Sequence, residues 1–205
     1  MSAPLLALIR AIVAGDAGEA ARVLAAAPEL ARAAVAAGAT RAAAREFFFE
    51  EIRHYVYAGD TALHMAAAAY GTAIARKLLA NGADTRAKNR RGAEPLHYAV
   101  DGSPGSPTWN PGAQAAVVEL LIEAGADPNA TDKGGVTPLH RAARNRCSAA
   151  VGALLAGGAD AGRKNGSGST PMDLATWTTG RGGTGGEAAK EEQEKILRLL
   201  THGLR

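Results

Sequence analysis

The sequence predicts an all-α solenoid of stacked helix–turn–helix units joined by short hairpin loops, and three observations predict it. The segments Thr61-Ala62-Leu63-His64, Glu94-Pro95-Leu96-His97, Thr137-Pro138-Leu139-His140 and Thr170-Pro171-Met172-Asp173 follow one another at offsets of 33, 43 and 33. The triplets Gly82-Ala83-Asp84, Gly125-Ala126-Asp127 and Gly158-Ala159-Asp160 recur at 43 and 33, so an independent landmark gives the same register. Aromatic residues make up only 4% of the chain while alanine dominates. A unit this poor in large side chains cannot bury a core alone and must stack on its neighbours.

Each element follows in order, and the whole chain, 1–205, reads as one domain. Residues 3–35 form an N-terminal capping helix pair, with Leu5, Leu8, Ile9 and Ile12 on one face and Ala20, Val23 and Leu24 on the next. Gly15-Asp16 stops the first helix and caps the second, and Pro28 ends it. Residues 40–58 interrupt the pattern. Thr40 can cap a helix running through residues 41–54, in which Phe47, Phe48 and Phe49 hold all the phenylalanine of the chain. That helix is expected to pack its rings over the stack, with partner binding as the alternative. His54-Tyr55-Val56-Tyr57 then alternates like a short extended segment leading into Gly59-Asp60.

Three repeats follow at 59–91, 92–134 and 135–167. In the last, the Thr137 hydroxyl caps the first helix and Pro138 occupies a position with no N–H to lose. Val151, Leu154 and Leu155 form the apolar stripe of the second helix, which stops at Gly157-Gly158. The middle repeat carries a ten-residue Pro/Gly-rich insertion, 103–112, that includes Trp109. Residues 168–205 form a C-terminal capping repeat, split by 180–186 before an amphipathic helix whose Glu/Lys face closes the stack toward water.

Together, the Thr-x-Leu-His signal, the two-helix body, the Gly-Ala-Asp turn and an Asp/Asn-x-x-Gly hairpin tip at a 33-residue period resemble ankyrin repeats, most clearly over residues 59–178. The resemblance implies a non-enzymatic module that binds a partner protein through its hairpin tips and the concave face of its first helices. By register, the tips present Lys88, Arg90 and Arg91, then Asp132 and Lys133, then Lys164 and Asn165. The first helices present Met65, Tyr98, Asp101, Arg141, Arg144 and Asn145, with Trp177 in the last unit. This balance is basic and suits an acidic protein segment. Arg141 and Arg144 are the central candidates for ion pairing, and Tyr98 and Trp109 for apolar anchoring, the Trp109 loop acting as a side clamp. The resemblance also implies that His64, His97 and His140 tie neighbouring repeats through hydrogen bonds near the Thr and the hairpin backbone. Two departures stand out. Glu94 replaces a capping Thr, which questions that helix start, and Asp173 replaces the His where no further repeat follows.

Other chemistries find little support. The three histidines lie one repeat apart and form a ladder, whereas zinc needs converging ligands. Gly180-Arg181-Gly182-Gly183-Thr184-Gly185 fits a dinucleotide fingerprint in letters only, since a helix precedes it and polar residues intervene before the next. Cys147 is expected as an inert buried thiol, although Arg144 and Arg146 nearby in sequence could activate it. No acid–base pair or nucleophile elbow is apparent, and no cofactor or metal is expected. A net charge of +3 from 23 basic and 20 acidic residues, with few stacking rings, argues against nucleic acid, yet polyanion binding through the basic face remains the alternative. The mildly apolar start lacks a basic n-region and no run reaches membrane-spanning length. A cytoplasmic monomer is expected.

Overall fold

The computed structural model describes residues 1–176 and 186–203. Helices α1 (Ala3–Val13), α3 (Ala62–Ala68), α5 (Pro95–Ala99), α7 (Pro138–Asn145) and α9 (Pro171–Thr176) pack in succession along one row. Helices α2 (Ala17–Ala26), α4 (Thr72–Ala80), α6 (Pro111–Glu123), α8 (Ser148–Ala156) and α10 (Glu187–Gly203) form a second row behind it. The predicted all-α solenoid is therefore the fold. Its core lies between the rows, where Leu63, Leu96, Leu139 and Leu154 are fully buried among alanines. Short side chains let the helices approach closely, which is why so few rings are needed.

The recurring letters have recurring jobs. Each second helix ends where Gly82, Gly125 or Gly158 takes a positive φ of 81°, 93° or 90°. The following Ala83, Ala126 and Ala159 donate N–H groups to Leu78, Leu121 and Leu154 carbonyls, at 3.0, 2.9 and 2.9 Å, closing the helix end. At the hairpin tips Asn89, Asp132 and Asn165 each accept two backbone N–H groups, from positions two and four residues on, with one side-chain oxygen. Successive tips are then bonded to one another: Arg90 N–H to Ala58 O, Lys133 N–H to Arg91 O and Gly166 N–H to Gly134 O, at 2.7, 2.9 and 2.9 Å.

The histidine ladder joins the repeats as the resemblance implies. His64, His97 and His140 accept the N–H of Thr61, Glu94 and Thr137 at Nδ1, so Nε2 carries the hydrogen. It is donated to the next unit, at Ala93 O (3.1 Å), Val136 O (3.0 Å) and Ser169 O (2.9 Å). Both nitrogens are thereby committed to backbone. Burial holds all three histidines below their ordinary pKa, His97 at about 4. In the last unit Asp173 stands in place of the histidine and accepts from Thr170 N–H at 2.7 Å and from the Thr170 hydroxyl at 2.8 Å. Helix α5 begins at Pro95 despite Glu94, whose backbone N–H is held by His97. The Glu94 carboxylate fits poorly, with one oxygen 3.6 Å from Lys88 Nζ and the other buried without a partner.

The expected helix over residues 41–54 does not form. A single 3-10 turn at Arg45–Phe47 leads into β1 (Phe48–Phe49), which pairs antiparallel with β2 (His54–Tyr55). A lone helix of that length is marginal in water without packing along one stripe, and three consecutive rings cannot share a stripe. Paired across two strands, the Phe48 and Tyr55 rings pack with centroids 4.6 Å apart, tilted by 52°. Val56 N–H to Phe47 O, at 2.8 Å, and Ala39 N–H to Val56 O, at 2.7 Å, fasten the ribbon to the chain on either side. Phe49 and Ile52 rest on the core.

The insertion is folded back as well. Tyr70 OH donates to Asp101 O at 2.6 Å, Trp109 Nε1 to Gln114 Oε1 at 3.2 Å, and Gln114 is itself buried. At the C-terminal end, Ala189, Ile196 and Leu200 of α10 are buried while Lys190, Glu191, Glu194 and Arg198 face water. Glu192 accepts Ser148 N–H at 2.9 Å and so caps α8 from outside.

Candidate partner-binding trough

The ribbon, the hairpin tips and the first row of helices enclose an open trough of ≈ 840 Å³. Its floor is polar and tightly bonded. Arg141 lies 3.3 Å from Asp101 Oδ2 and 3.0 Å from Asp132 Oδ2, and its side chain is 12% exposed. His54 reaches in from β2, its Nε2 3.0 Å from Asp101 and its ring 4.5 Å from that of Tyr98. Below them the Tyr98 hydroxyl lies 2.8 and 2.9 Å from the two carboxylate oxygens of Asp60, and Asn89 Nδ2 donates to Asp60 Oδ1 at 2.9 Å.

These contacts set the charges of the floor. Burial penalises ionised Asp101, yet Arg141 and His54 together hold its carboxyl below the usual range. Burial likewise opposes protonated His54, and Asp101 outweighs it, so the pKa is raised. Asp132 is lowered against its burial by Arg141 and by the Val136 and Gly134 N–H groups. Burial raises the Tyr98 phenol, with Asp60 adding to the shift. The floor's carboxylates are thus matched internally.

The rim is different. Arg53, Arg90, Arg91 and Lys133 line the trough, are exposed, and have no carboxylate partner among the described residues. Arg144 is exposed beside them and adds to the field that lowers Asp101. Tyr55, 37% exposed, stands on the ribbon side, and Tyr57 lies between it and the tips.

Several expected site residues are therefore reassigned. Tyr98 is not an exposed anchor: at 2% exposure it is a core ring fixed by Asp60. Met65 is fully buried and Asn145 is 9% exposed, its amide donating to Val100 O at 3.1 Å. Arg141 and Asp101 face the trough but are paired with each other. Trp109 turns onto Gln114 and lies outside the trough lining, as do the exposed Lys88 and Lys164. Trp177 and the Gly180–Gly185 string lie outside the described residues. Cys147 is fully buried, 3.2 Å from Gly102 O, and burial pushes its thiol up to about 12 although Gln114 and Trp109 pull the other way. Arg53, His54, Tyr55 and Tyr57 line the trough and are not among the residues that the sequence singles out for binding. The alternation at 54–57 was their signal.

Comparison with protein families decides the relationship. The description Ankyrin repeat matches residues 58–90 and 91–133, and Ankyrin repeats (many copies) matches 121–175, together more than half the chain. The chain belongs to the ankyrin-repeat family. Ankyrin repeats generally serve as protein–protein interaction modules and are typically non-enzymatic. No curated protein matches the chain. Among the described residues of this ankyrin-repeat protein no helix is long and apolar enough to cross a membrane, and no three His, Cys, Asp or Glu side chains converge as metal ligands.

Proposed function

We propose that the trough binds an acidic segment of a partner protein. The observation that carries this reading is the split between floor and rim. Carboxylates that could neutralise the rim are bonded to Arg141, leaving Arg53, Arg90, Arg91 and Lys133 to face a ligand. Exposed like charges on a concave wall steer an oppositely charged chain and fix its register. Tyr55 and Tyr57 supply apolar contact on the ribbon side. The preformed stack keeps the ordering cost of binding small.

Capture of partners from native extract by the tagged protein, compared with its Arg53→Glu, Lys133→Glu variant after nuclease treatment, tests the reading. Both substitutions lie on the rim, and melting should change little. A protein captured by the parent and lost with the variant is expected. Equal capture by both would move the site elsewhere, and capture that vanishes with nuclease would replace the partner protein by a nucleic acid.

A further inference from the structure

The hairpin tip after α4 presents two adjacent arginines held by one ring. The guanidinium carbons of Arg90 and Arg91 lie 5.4 and 5.2 Å from the Tyr57 ring centroid. Arg91 Nη1 also donates to the Tyr57 hydroxyl at 3.3 Å, and Arg90 Nη2 donates to Ala39 O. Neither has a carboxylate partner among the described residues, and each keeps N–H donors beyond those used. Lys133 on the next tip is tied to this place by its own N–H on Arg91 O, at 2.9 Å. All four residues line the trough.

We propose that Arg90 and Arg91, held against Tyr57, form together with Lys133 of the next tip an oxyanion subsite for the phosphoryl group of a phosphorylated side chain in the bound protein segment. This rests on the reading of the trough as a protein-binding site and adds the chemistry of what it recognises. A carboxylate brings a single charge and is satisfied by one guanidinium fork. A phosphoryl group brings a charge of about −1.5 to −2 and three acceptor oxygens, enough for two forks and an ammonium together. A cation–π contact with the ring restricts the guanidinium groups in advance, so less freedom is lost when the anion arrives. Among the described residues the carboxylates lining the trough are Asp101 and Asp132, which are both bonded to Arg141 and do not compete.

The test is titration of the isotope-labelled protein with phenyl phosphate and with phenylacetate, followed by NMR. Phenyl phosphate should saturate, move the resonances of Tyr57, Arg90, Arg91 and Lys133, and bind about tenfold more tightly than phenylacetate. Its affinity should fall between pH 7 and pH 5, as the second phosphate proton returns with a pKa of about 6. The Arg90→Lys, Arg91→Lys variant keeps the charge and removes the forks, and should lose about tenfold while its NMR spectrum stays that of the folded protein. Equal binding of the two ligands, full affinity in the lysine variant, or shifts elsewhere would overturn the subsite. Degenerate peptide pools with a fixed central phosphoserine or a fixed Glu then separate the two readings. Preference for the phosphoserine pool supports the subsite. Equal binding of both pools removes it and leaves the acidic-segment reading intact. Phenyl phosphate bound while neither pool binds would refute a protein segment as the source of the phosphoryl group.

Discussion

Arg141 and Asp101, contributed by neighbouring repeats, are ion-paired at 3.3 Å across the floor of the trough. Asp132 approaches the same guanidinium at 3.0 Å. An arginine so engaged braces the stack and has little left for a partner, whereas Lys133 on the rim stands exposed with no carboxylate partner among the described residues. Arg141→Ala leaves two part-buried carboxylates without their cation and should cost about 2–4 kcal/mol in urea denaturation. Lys133→Ala should cost under about 1 kcal/mol. The reverse order would mean that the floor and rim have been confused.

Glu94 offers a stabilising change. Its Oε2 is buried without a partner, and burial raises its pKa although Lys88 pulls the other way. The equivalent positions hold Thr61 and Thr137, whose hydroxyls meet His64 and His140 at 3.0 and 2.8 Å. Glu94→Thr should therefore raise stability by about 1–2 kcal/mol at pH 7. With the folded pKa raised, the penalty it removes exists above that pKa and disappears below the ordinary value. The gain should shrink in acid. A variant that melts lower at pH 7 would show that Lys88 and Glu94 contribute more than the unpaired oxygen costs.

The histidine ladder makes stability depend on pH. His97 is held to about 4, by burial first and then by the charge of Arg141. The folded state keeps it neutral while the unfolded chain takes up a proton below about 6.5. Its contribution is complete above that value and is lost as pH falls toward 4, worth up to about 3 kcal/mol. His64 and His140 act in the same direction. His54, with a raised pKa, acts oppositely: its contribution is present below about 6.5 and fades as pH rises through the folded value. Melting temperature should drop between pH 6.5 and 4, and His97→Gln should be less stable at pH 7 yet flatter across that window. An unchanged slope would refute the neutral ladder.

Tyr98→Phe tests the ring beneath the trough. Its hydroxyl and the Asn89 amide both serve the buried Asp60 carboxylate. Removing the hydroxyl should cost about 1–3 kcal/mol while leaving partner affinity, measured on the folded fraction, unchanged. A large affinity loss without destabilisation would restore Tyr98 as a contact residue.

The repeats are legible in the sequence because each landmark is a local requirement: a cap, a positive-φ glycine, an Asx turn. Such needs recur wherever the geometry recurs. The ribbon at 48–55 is not, since alanine, arginine and glutamate around Phe47–Phe49 favour a helix locally while the cross-strand rings and the core favour strands. Register places Arg141 on the concave face correctly but says nothing of which acid stands opposite. Asp101 and Asp132 come from other turns of the stack, and only their meeting reveals that the rim, not the floor, is open. Tyr98 fails for the same reason, because its acceptor Asp60 lies 38 residues earlier.

The central claim is that a partner lies in the trough between ribbon and tips. Site-directed photo-crosslinking in native extract tests it most directly, with benzoylphenylalanine placed at Tyr55 on the ribbon or at exposed Glu119 on α6 of the outer row. The account predicts a partner-protein crosslink from position 55, absent at 119 and abolished by Arg53→Glu, Lys133→Glu. The same partner crosslinked from 119 and not from 55 would place binding on the opposite side of the stack and contradict it.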